Sequence, residues 1–235
     1  MLSIIIPTLN EEKYLPILLN EIKKQNFRDF EIIVADAGSG DETVEIAKRF
    51  GCKIVKGGLP PKGRNEGAKV AKGDIFLFMD ADNIRLPEKF FERSLKEFKK
   101  RNLGVASFPL CPNGKKIDKF LFQIYNTWVK LTQIPYASNL ILVKKEIFEK
   151  VGGFDEKIKI AEDHYFAKQA AKYGKFGFIK IEPVITSSRR FERDGRLKTY
   201  LKYLLAGIYM FLFGPIKKDI FQYRYNDLKN NKKRL

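Results

Sequence analysis

Four short apolar runs mark the first eighty residues: LSIII (2–6), FEIIVA (30–35), KIVK (53–56) and DIFLFM (74–79). Each is broken by a polar, Gly- or Pro-bearing turn and followed by a stretch with helical spacing of apolar positions. This pattern predicts helices over about Glu11–Gln25, Asp41–Phe50, Arg64–Ala71 and Leu86–Lys100, the last with Pro87 near its start. The longest runs are apolar without alternation, as expected of strands buried on both faces. Four of them alternating with helices predict an α/β fold with a parallel sheet covered on both sides. In such sheets ligands bind beyond the carboxyl ends of the strands. The segments PTLNEE, DAGSG and DAD all fall at that edge.

Beyond about residue 102 the alternation becomes irregular. GVASFPL and SNLILV read as strands, KIDKFLFQIYNTWVKL as a helix with a wide apolar face, EDHYFAKQAAKYG as another helix, and FGFIKIEPVIT as one strand. With no internal repeat and no low-complexity linker, residues 102–198 are expected to form the second half of one domain spanning 1–198. Residues 1–101 would be its first half. Residues 199–235 remain as a basic, amphipathic C-terminal helix and tail. Within them Tyr203–Ile216 carries no charge and is bracketed by Arg193, Arg196, Lys198 and Lys202 before it and by Lys217 and Lys218 after it. Spanning a bilayer takes about 20 apolar residues, so an interfacial helix with a basic rim fits better. A core helix or a dimer interface is the competing reading. The tail KNNKKR reads as a solvated, membrane-attracted or disordered end.

Composition narrows the function classes. The 235 residues are 44% hydrophobic, enough for a sizeable core. The net charge is +17, and residues 186–235 hold 13 Lys or Arg against 4 Asp or Glu. That end suits an anionic neighbour: nucleic acid, a membrane surface or a nucleotide. Cys52 and Cys111 stand far apart, without CxxC pairs or a histidine cluster, which argues against a disulfide framework or a zinc site. Met1–Pro7 reads as a core strand rather than a leader. The expected location is cytoplasmic, with a peripheral place on the cytoplasmic face of the cell membrane as the option that the C-terminal segment opens.

The chemistry concentrates at the strand ends. If the fourth strand persists through DAD, Asp80 and Asp82 share a face and repel each other. A hard divalent cation, Mg²⁺ or Mn²⁺, relieves that repulsion and bridges carboxylates to substrate phosphates. Otherwise both aspartates cap the next helix or face water. Asp36 ends the second strand before AGSGD; capping of the next helix by Ser39 or Asp41 would leave it free to accept from a base N–H. In PKGRNEGA, Lys62 and Arg64 sit beside glycines ahead of the predicted third helix, a place for a diphosphate.

Together these loops resemble the family 2 glycosyltransferases of the GT-A fold. The likeness rests on IIIPTLNEE, ADAGSGDET, GRNEGAKVAKGDIFLFMDAD, and SNLILVKKEIFEKVGGFDE followed by AED, in that order. It implies a GT-A Rossmann-like nucleotide-binding sheet fused to an acceptor half. The implied reaction is metal-dependent sugar transfer, usually with inversion, from a nucleoside diphosphate donor to a hydroxyl or phosphate, with a lipid-linked acceptor as one option. By position, Pro7, Thr8, Asn10 and Glu11 would line the nucleoside pocket, Asp36 would meet the base, and Arg64 would lie near the donor. Asp80 and Asp82 would hold nucleotide and metal, with Asp82 ahead as the direct ligand. Asp163 would be the catalytic base, with Glu162 beside it in the substrate site. Where many relatives read DDGS, this chain has Asp36-Ala37-Gly38-Ser39, so the base is open: uridine first, guanosine second. ITSSRRF offers Arg189 and Arg190 near the diphosphate, with Arg190 as the assigned residue, although the Gln and Trp of a QxxRW motif are absent. His164 beside the base is either structural or a ligand.

Three rival readings compete. A sugar nucleotidylyltransferase would carry a Gly-rich, Arg-bearing loop after its first strand, which PTLNEE is not. A dehalogenase-like phosphatase places DxD after its first strand, followed by Thr, whereas here Asn83 and Ile84 follow the fourth. A non-catalytic nucleic-acid-binding protein would use the basic charge alone, but no nucleic-acid motif is present, so nucleic acid is not expected as a partner.

Overall fold

The computed structural model describes residues 1–217 and 220; the KNNKKR tail lies outside the described residues. In chain order the elements are β1 (Leu2–Thr8), α1 (Leu15–Lys24), β2 (Phe30–Asp36), α2 (Thr43–Arg49), β3 (Lys53–Lys56), α3 (Pro60–Lys69), β4 (Ile75–Met79), β5 (Asn83–Arg85) and α4 (Phe90–Lys100). They continue as β6 (Val105–Ser107), β7 (Leu110–Pro112), α5 (Lys116–Thr132), β8 (Leu140–Lys144), α6 (Lys145–Val151), α7 (Glu162–Ala170), β9 (Phe176–Phe178), β10 (Val184–Thr186), α8 (Arg189–Asp194) and α9 (Arg196–Phe213).

The main sheet has the order β3-β2-β1-β4-β8-β6-β9. Its first four strands run parallel, as the apolar runs predict. β8 then pairs antiparallel with both β4 and β6, and β9 runs parallel to β6. Both faces are buried. Along β4, Leu77 and Met79 join the core that includes Leu15, Leu18 and Phe90, while Phe76 and Phe78 join the opposite one with Phe148 and Phe166. A second sheet, β5-β10-β7, stands beside it. FGFIKIEPVIT is therefore not one strand: residues 176–178 finish the main sheet and 184–186 belong to the small one.

Three helix starts differ from the sequence reading, and local chemistry explains each. Residues 11–14 form a turn in which Tyr14 and Leu15 N–H donate to the Glu11 carbonyl, and α1 begins only next to Pro16. Likewise α3 begins at Pro60, four residues before the expected Arg64, because Pro60 and Pro61 occupy the first helical turn, where a missing N–H costs nothing. Residues 83–85 form β5, so α4 starts at Phe90 after Lys89 in a left-handed conformation. The strand before the DAD segment ends at Met79, so Asp80 and Asp82 lie in the turn beyond it rather than on a continued strand.

Close approach of α3 to β1 depends on glycine. A Cβ on Gly67 would lie 2.4 Å from Ile5 Cγ2, whereas one on Gly207 of α9 would meet nothing within 4 Å. Gly67→Val is expected to destabilise the fold by about 1–3 kcal/mol through overpacking. Gly207→Ala is expected to stabilise it by about 0.5–1 kcal/mol through helix propensity. Urea unfolding of the two variants beside the parent chain checks both signs.

Candidate active site

The site is built where β1, β2 and β4 end, at the level where Thr8 lies opposite Asp36. An open cleft there is lined by Pro7, Thr8 and Glu11, by Leu59 and Pro60 at the start of α3, by Asp80 and Asp82, and by Arg189, Arg190 and Arg193. Two arginines organise it. Arg64, only 2% exposed, donates from one guanidinium nitrogen to Glu162 Oε1 at 2.7 Å and from another to Asp80 Oδ1 at 2.8 Å. Arg189 forms a fork with Glu11, 2.7 Å to each carboxylate oxygen, and its Nε lies 3.2 Å from Asp82 Oδ2. The Arg189 guanidinium also packs 4.7 Å from the centre of the Tyr14 ring. Bidentate geometry and low exposure make these contacts stronger than surface ion pairs.

Both arginines are held charged. Burial alone would lower their pKa values, but the carboxylates at hydrogen-bond distance hold them above the ordinary range. The acids are less fully compensated. Burial pushes Glu11 up to about 7 against the opposing effect of Arg189. Burial likewise raises Asp82, with Asp80 adding to the shift and Arg189 opposing it. Asp163, at the start of α7, rises to about 6 by burial, with Asp80 adding and Arg64 opposing. A carboxyl with that pKa can accept a proton near neutral pH.

The structure separates the sequence-predicted residues into two groups. Asp80, Asp82, Glu162 and Asp163 converge electrostatically: Asp80 acts on Asp82 and on Asp163, and Arg64 spans Asp80 and Glu162. Glu11 joins them through Arg189. Asp36 and Asn10, in contrast, tie loops together. Asp36 is not left free: Oδ1 accepts from Thr8 Oγ1 and Ser39 Oγ, and Oδ2 from the backbone N–H groups of Gly38 and Ser39. The reason is that Ser39 spends its hydroxyl on Asp36 instead of on α2, while Asp41 Oδ1 accepts from Thr43 N–H at the start of that helix. Asn10, at φ +54°, accepts from Gly40 N–H, a left-handed position that asparagine tolerates. Lys62 and Arg64 lie within α3 rather than ahead of it, and Arg64 is engaged with carboxylates.

Of the arginine pair, Arg189 reaches the carboxylates, while Arg190 lines the cleft and donates to the Tyr203 hydroxyl at 3.1 Å. The RR doublet signals both, but which one turns inward depends on how α8 docks. His164 stacks on Tyr136 with ring centres 3.5 Å apart, and its buried Nδ1 has no hydrogen-bond partner among the described residues. Burial lowers its pKa to about 3, so at neutral pH it faces Asp163 uncharged. The Tyr136 contact and the Tyr14 platform under Arg189 carry no motif and could not be found from the sequence.

Removing a buried cation strands its partner. Arg64→Met leaves Glu162 buried without its counter-charge, and a loss of about 3–5 kcal/mol is expected. Adding Glu162→Gln should recover part of that loss, which denaturant unfolding of the single and double variants would measure.

Residues 3–153 match the family model described as glycosyl transferase family 2. Over 198 residues the chain is 29% identical to an uncharacterized glycosyltransferase of Haemophilus influenzae, an alignment covering 79% of this chain and 67% of that protein. Over 189 residues it is 38% identical to the poly(ribitol-phosphate) beta-N-acetylglucosaminyltransferase TarS of Staphylococcus aureus. That alignment covers 72% of this chain but 32% of TarS, so the chain spans about a third of that relative's length. Among solved structures, S. aureus TarS 1–349 in complex with UDP-GlcNAc superposes with a TM-score of 0.68 at 24% identity, covering 80% of this chain and 58% of that one. The mannosyltransferase PcManGT from Pyrobaculum calidifontis in complex with GDP-Man and Mn²⁺ superposes with a TM-score of 0.65 at 20% identity, covering 88% and 64%. At these identities the structural likeness establishes the fold, the mixed α/β Rossmann-like sheet of GT-A glycosyltransferases. With the family model matching well over half of its length and the sheet built as in those enzymes, the chain belongs to glycosyl transferase family 2.

Proposed function

We propose that this protein transfers a sugar from a nucleoside diphosphate donor to an acceptor hydroxyl or phosphate, with inversion and with the help of Mg²⁺ or Mn²⁺. The observation that supports this reading most is the meeting of Asp80 and Asp82, at the end of β4, with Asp163 in one carboxylate cluster beside an arginine-lined cleft. A diphosphate brings negative charge that Arg189, Arg190 and Arg193 can meet. The aspartates fit a hard cation. Asp80 spends Oδ1 on Arg64, its Oδ2 takes no hydrogen bond from a described residue, and Asp82 is raised by burial and by Asp80, a strain that a cation relieves. Among the described residues no group of three or more His, Cys, Asp or Glu is placed to hold a metal by itself, so an ion here would need substrate phosphates to complete its ligands. When bound, the ion would neutralise charge developing on the departing diphosphate.

The remaining steps fall to the chain. Asp163 accepts the acceptor's proton as its oxygen bonds to the anomeric carbon, while the bond to the diphosphate breaks on the opposite side and the diphosphate leaves with the electron pair. Arg64 is a positioning residue: it fixes Asp80 on the donor side and Glu162, the neighbour of Asp163, on the other. Pro7 and Thr8 line the wall for the nucleoside. Asp36 and Asn10 shape that wall by holding the β1 and β2 loops together. A uridine donor is favoured and a guanosine donor comes second, consistent with the UDP-GlcNAc and GDP-Man complexes of the similar structures. The acceptor extends to a lipid-linked one, because α8, which carries Arg189, leads directly into the apolar-faced α9.

Thermal shift with UDP or GDP, each with and without Mn²⁺, tests the donor side. Asp82→Ala is expected to lose the metal-dependent stabilisation entirely, and no nucleotide response in the parent chain would reject the reading. Asp163→Asn should keep that stabilisation while transfer falls by about 10²- to 10⁴-fold.

The pH profile follows from the same residue. Because the Asp163 pKa is raised to about 6, the ionised base is present above that value and lost as pH falls through it. Transfer measured as kcat/KM is expected to fall about tenfold per pH unit below about 6. An acid limb near the ordinary aspartate pKa would remove Asp163 as the base.

A further inference from the structure

α9 exposes the wrong face for a helix that only packs on a core. Thr199 and Ala206, seven residues apart, are 3% and 4% exposed and mark its inner side, where Ala206 packs with Ile160 and Ile216. The opposite side carries Leu197, Leu201, Leu204, Leu205, Ile208 and Leu212, between 44% and 83% exposed. Their spacing of i, i+4, i+7, i+8, i+11 and i+15 makes one continuous aliphatic stripe along the helix. The neighbouring α5 repeats the feature. Ile117, Phe120, Ile124, Trp128 and Leu131 are between 44% and 76% exposed and are spaced by three or four residues. Asp118 ties the two helices together, accepting from Arg196 Nε and from the Tyr200 hydroxyl, both at 2.9 Å. Scattered apolar residues on a surface are ordinary, but a continuous apolar stripe on each of two adjoining helices marks an interaction surface.

The charge pattern chooses the occupant. α9 contains no acidic residue and carries Arg196, Lys198 and Lys202. The one acid of α5, Asp118, is fully buried, while its Lys116, Lys119 and Lys130 are exposed. Every exposed charge on the two helices is therefore positive. A second copy of this chain would set like charges against like, which opposes a self-complementary interface. An anionic bilayer offers headgroups to the lysines and acyl chains to the leucines. No helix among the described residues is long and apolar enough to cross a membrane, and α9, at 18 residues with three cations, has the character of a helix lying in the interface plane.

We propose that the apolar stripes of α9 and α5 form a docking surface for an anionic lipid bilayer. The inference does not depend on the transferase reading. It adds that α8, which bears Arg189 and is coupled to α9 through the Phe191–Tyr200 stack, holds the cleft next to the lipid surface.

The test is flotation with phosphatidylcholine vesicles and with mixed phosphatidylcholine–phosphatidylglycerol vesicles. The protein should float with the mixed vesicles, and binding should fall at least about tenfold on the zwitterionic ones. Trp128, the single tryptophan, reports on α5: its emission should shift to the blue on the mixed vesicles. The triple variant Leu201→Ser, Leu204→Ser, Ile208→Ser changes only exposed side chains, so its thermal unfolding and nucleotide response should match the parent. Its flotation should be lost. Undiminished flotation of that variant, or an unshifted Trp128 spectrum on the mixed vesicles, would overturn the proposal. So would a parent that fails to float but forms a dimer which the variant abolishes. Because flotation and nucleotide response are read separately, failure here leaves the transferase reading standing, and the reverse also holds.

Discussion

Five carboxylates crowd the carboxyl edge of this sheet, and the arrangement stands because two arginines are threaded between them. Glu11, Asp80, Asp82, Glu162 and Asp163 come from three separate segments, and burial alone would drive Glu11, Asp82, Glu162 and Asp163 toward neutrality. Arg64 enters from α3 and clamps Asp80 to Glu162; Arg189 enters from α8 and clamps Glu11 to Asp82. One clamp joins residues 98 apart in sequence and the other joins residues 178 apart, so each fastens the N-terminal sheet to the later half of the chain. In a low-dielectric setting a charge of either sign is costly unless paired. The site and the junction between the halves are thus stabilised by the same contacts.

The balance is incomplete in one sense: the two clamping arginines, with Arg190 acting on Asp82 as well, do not return the buried acids to their ordinary values. The shortfall is visible in Glu11 near 7 and Asp163 near 6, both pushed up mainly by burial. A metal ion arriving with a nucleotide diphosphate, as in the proposed reaction, would add positive charge nearest Asp80 and Asp82. By linkage it would favour the ionised form of any carboxylate that feels those aspartates. Asp163 feels Asp80 directly. Donor binding would then prepare the base on the other side of the cleft without any movement of the backbone.

Much of the first half was legible because its signals are local. Two-sided burial makes a strand apolar along its whole length, so β1, β2 and β4 announce themselves and the parallel order follows. Helix starts were less legible. Pro60 and Pro61 read equally well as loop residues and as a first helical turn, and only packing of Gly63 and Gly67 against β1 decides between them. The second half was harder, since its strands are three to five residues long and are shared between two sheets. Residues 176–186 read in sequence as one strand, yet the chain changes sheets inside it.

In the site, what the sequence reveals is residue type, and what it conceals is partnership. The aspartates of DAD and AED are visible as candidates, but that Arg64 links them depends on the start of α3, which fixes where its side chain enters. Asp36 illustrates the converse. Its strand-end position is that of a ligand-binding carboxylate, and that it also anchors the loops through four hydrogen bonds from Thr8, Gly38 and Ser39 is not written in that position. Arg189 and Arg190 are indistinguishable by composition; adjacent positions on a helix differ by about 100° in direction, and here Arg189 makes the direct ion pairs while Arg190 acts on Asp82 from farther off. The docking of α8 decides which takes which place. Since α9 continues from α8 through Gly195, whatever surface orients α9 also constrains the arginine that completes the cleft.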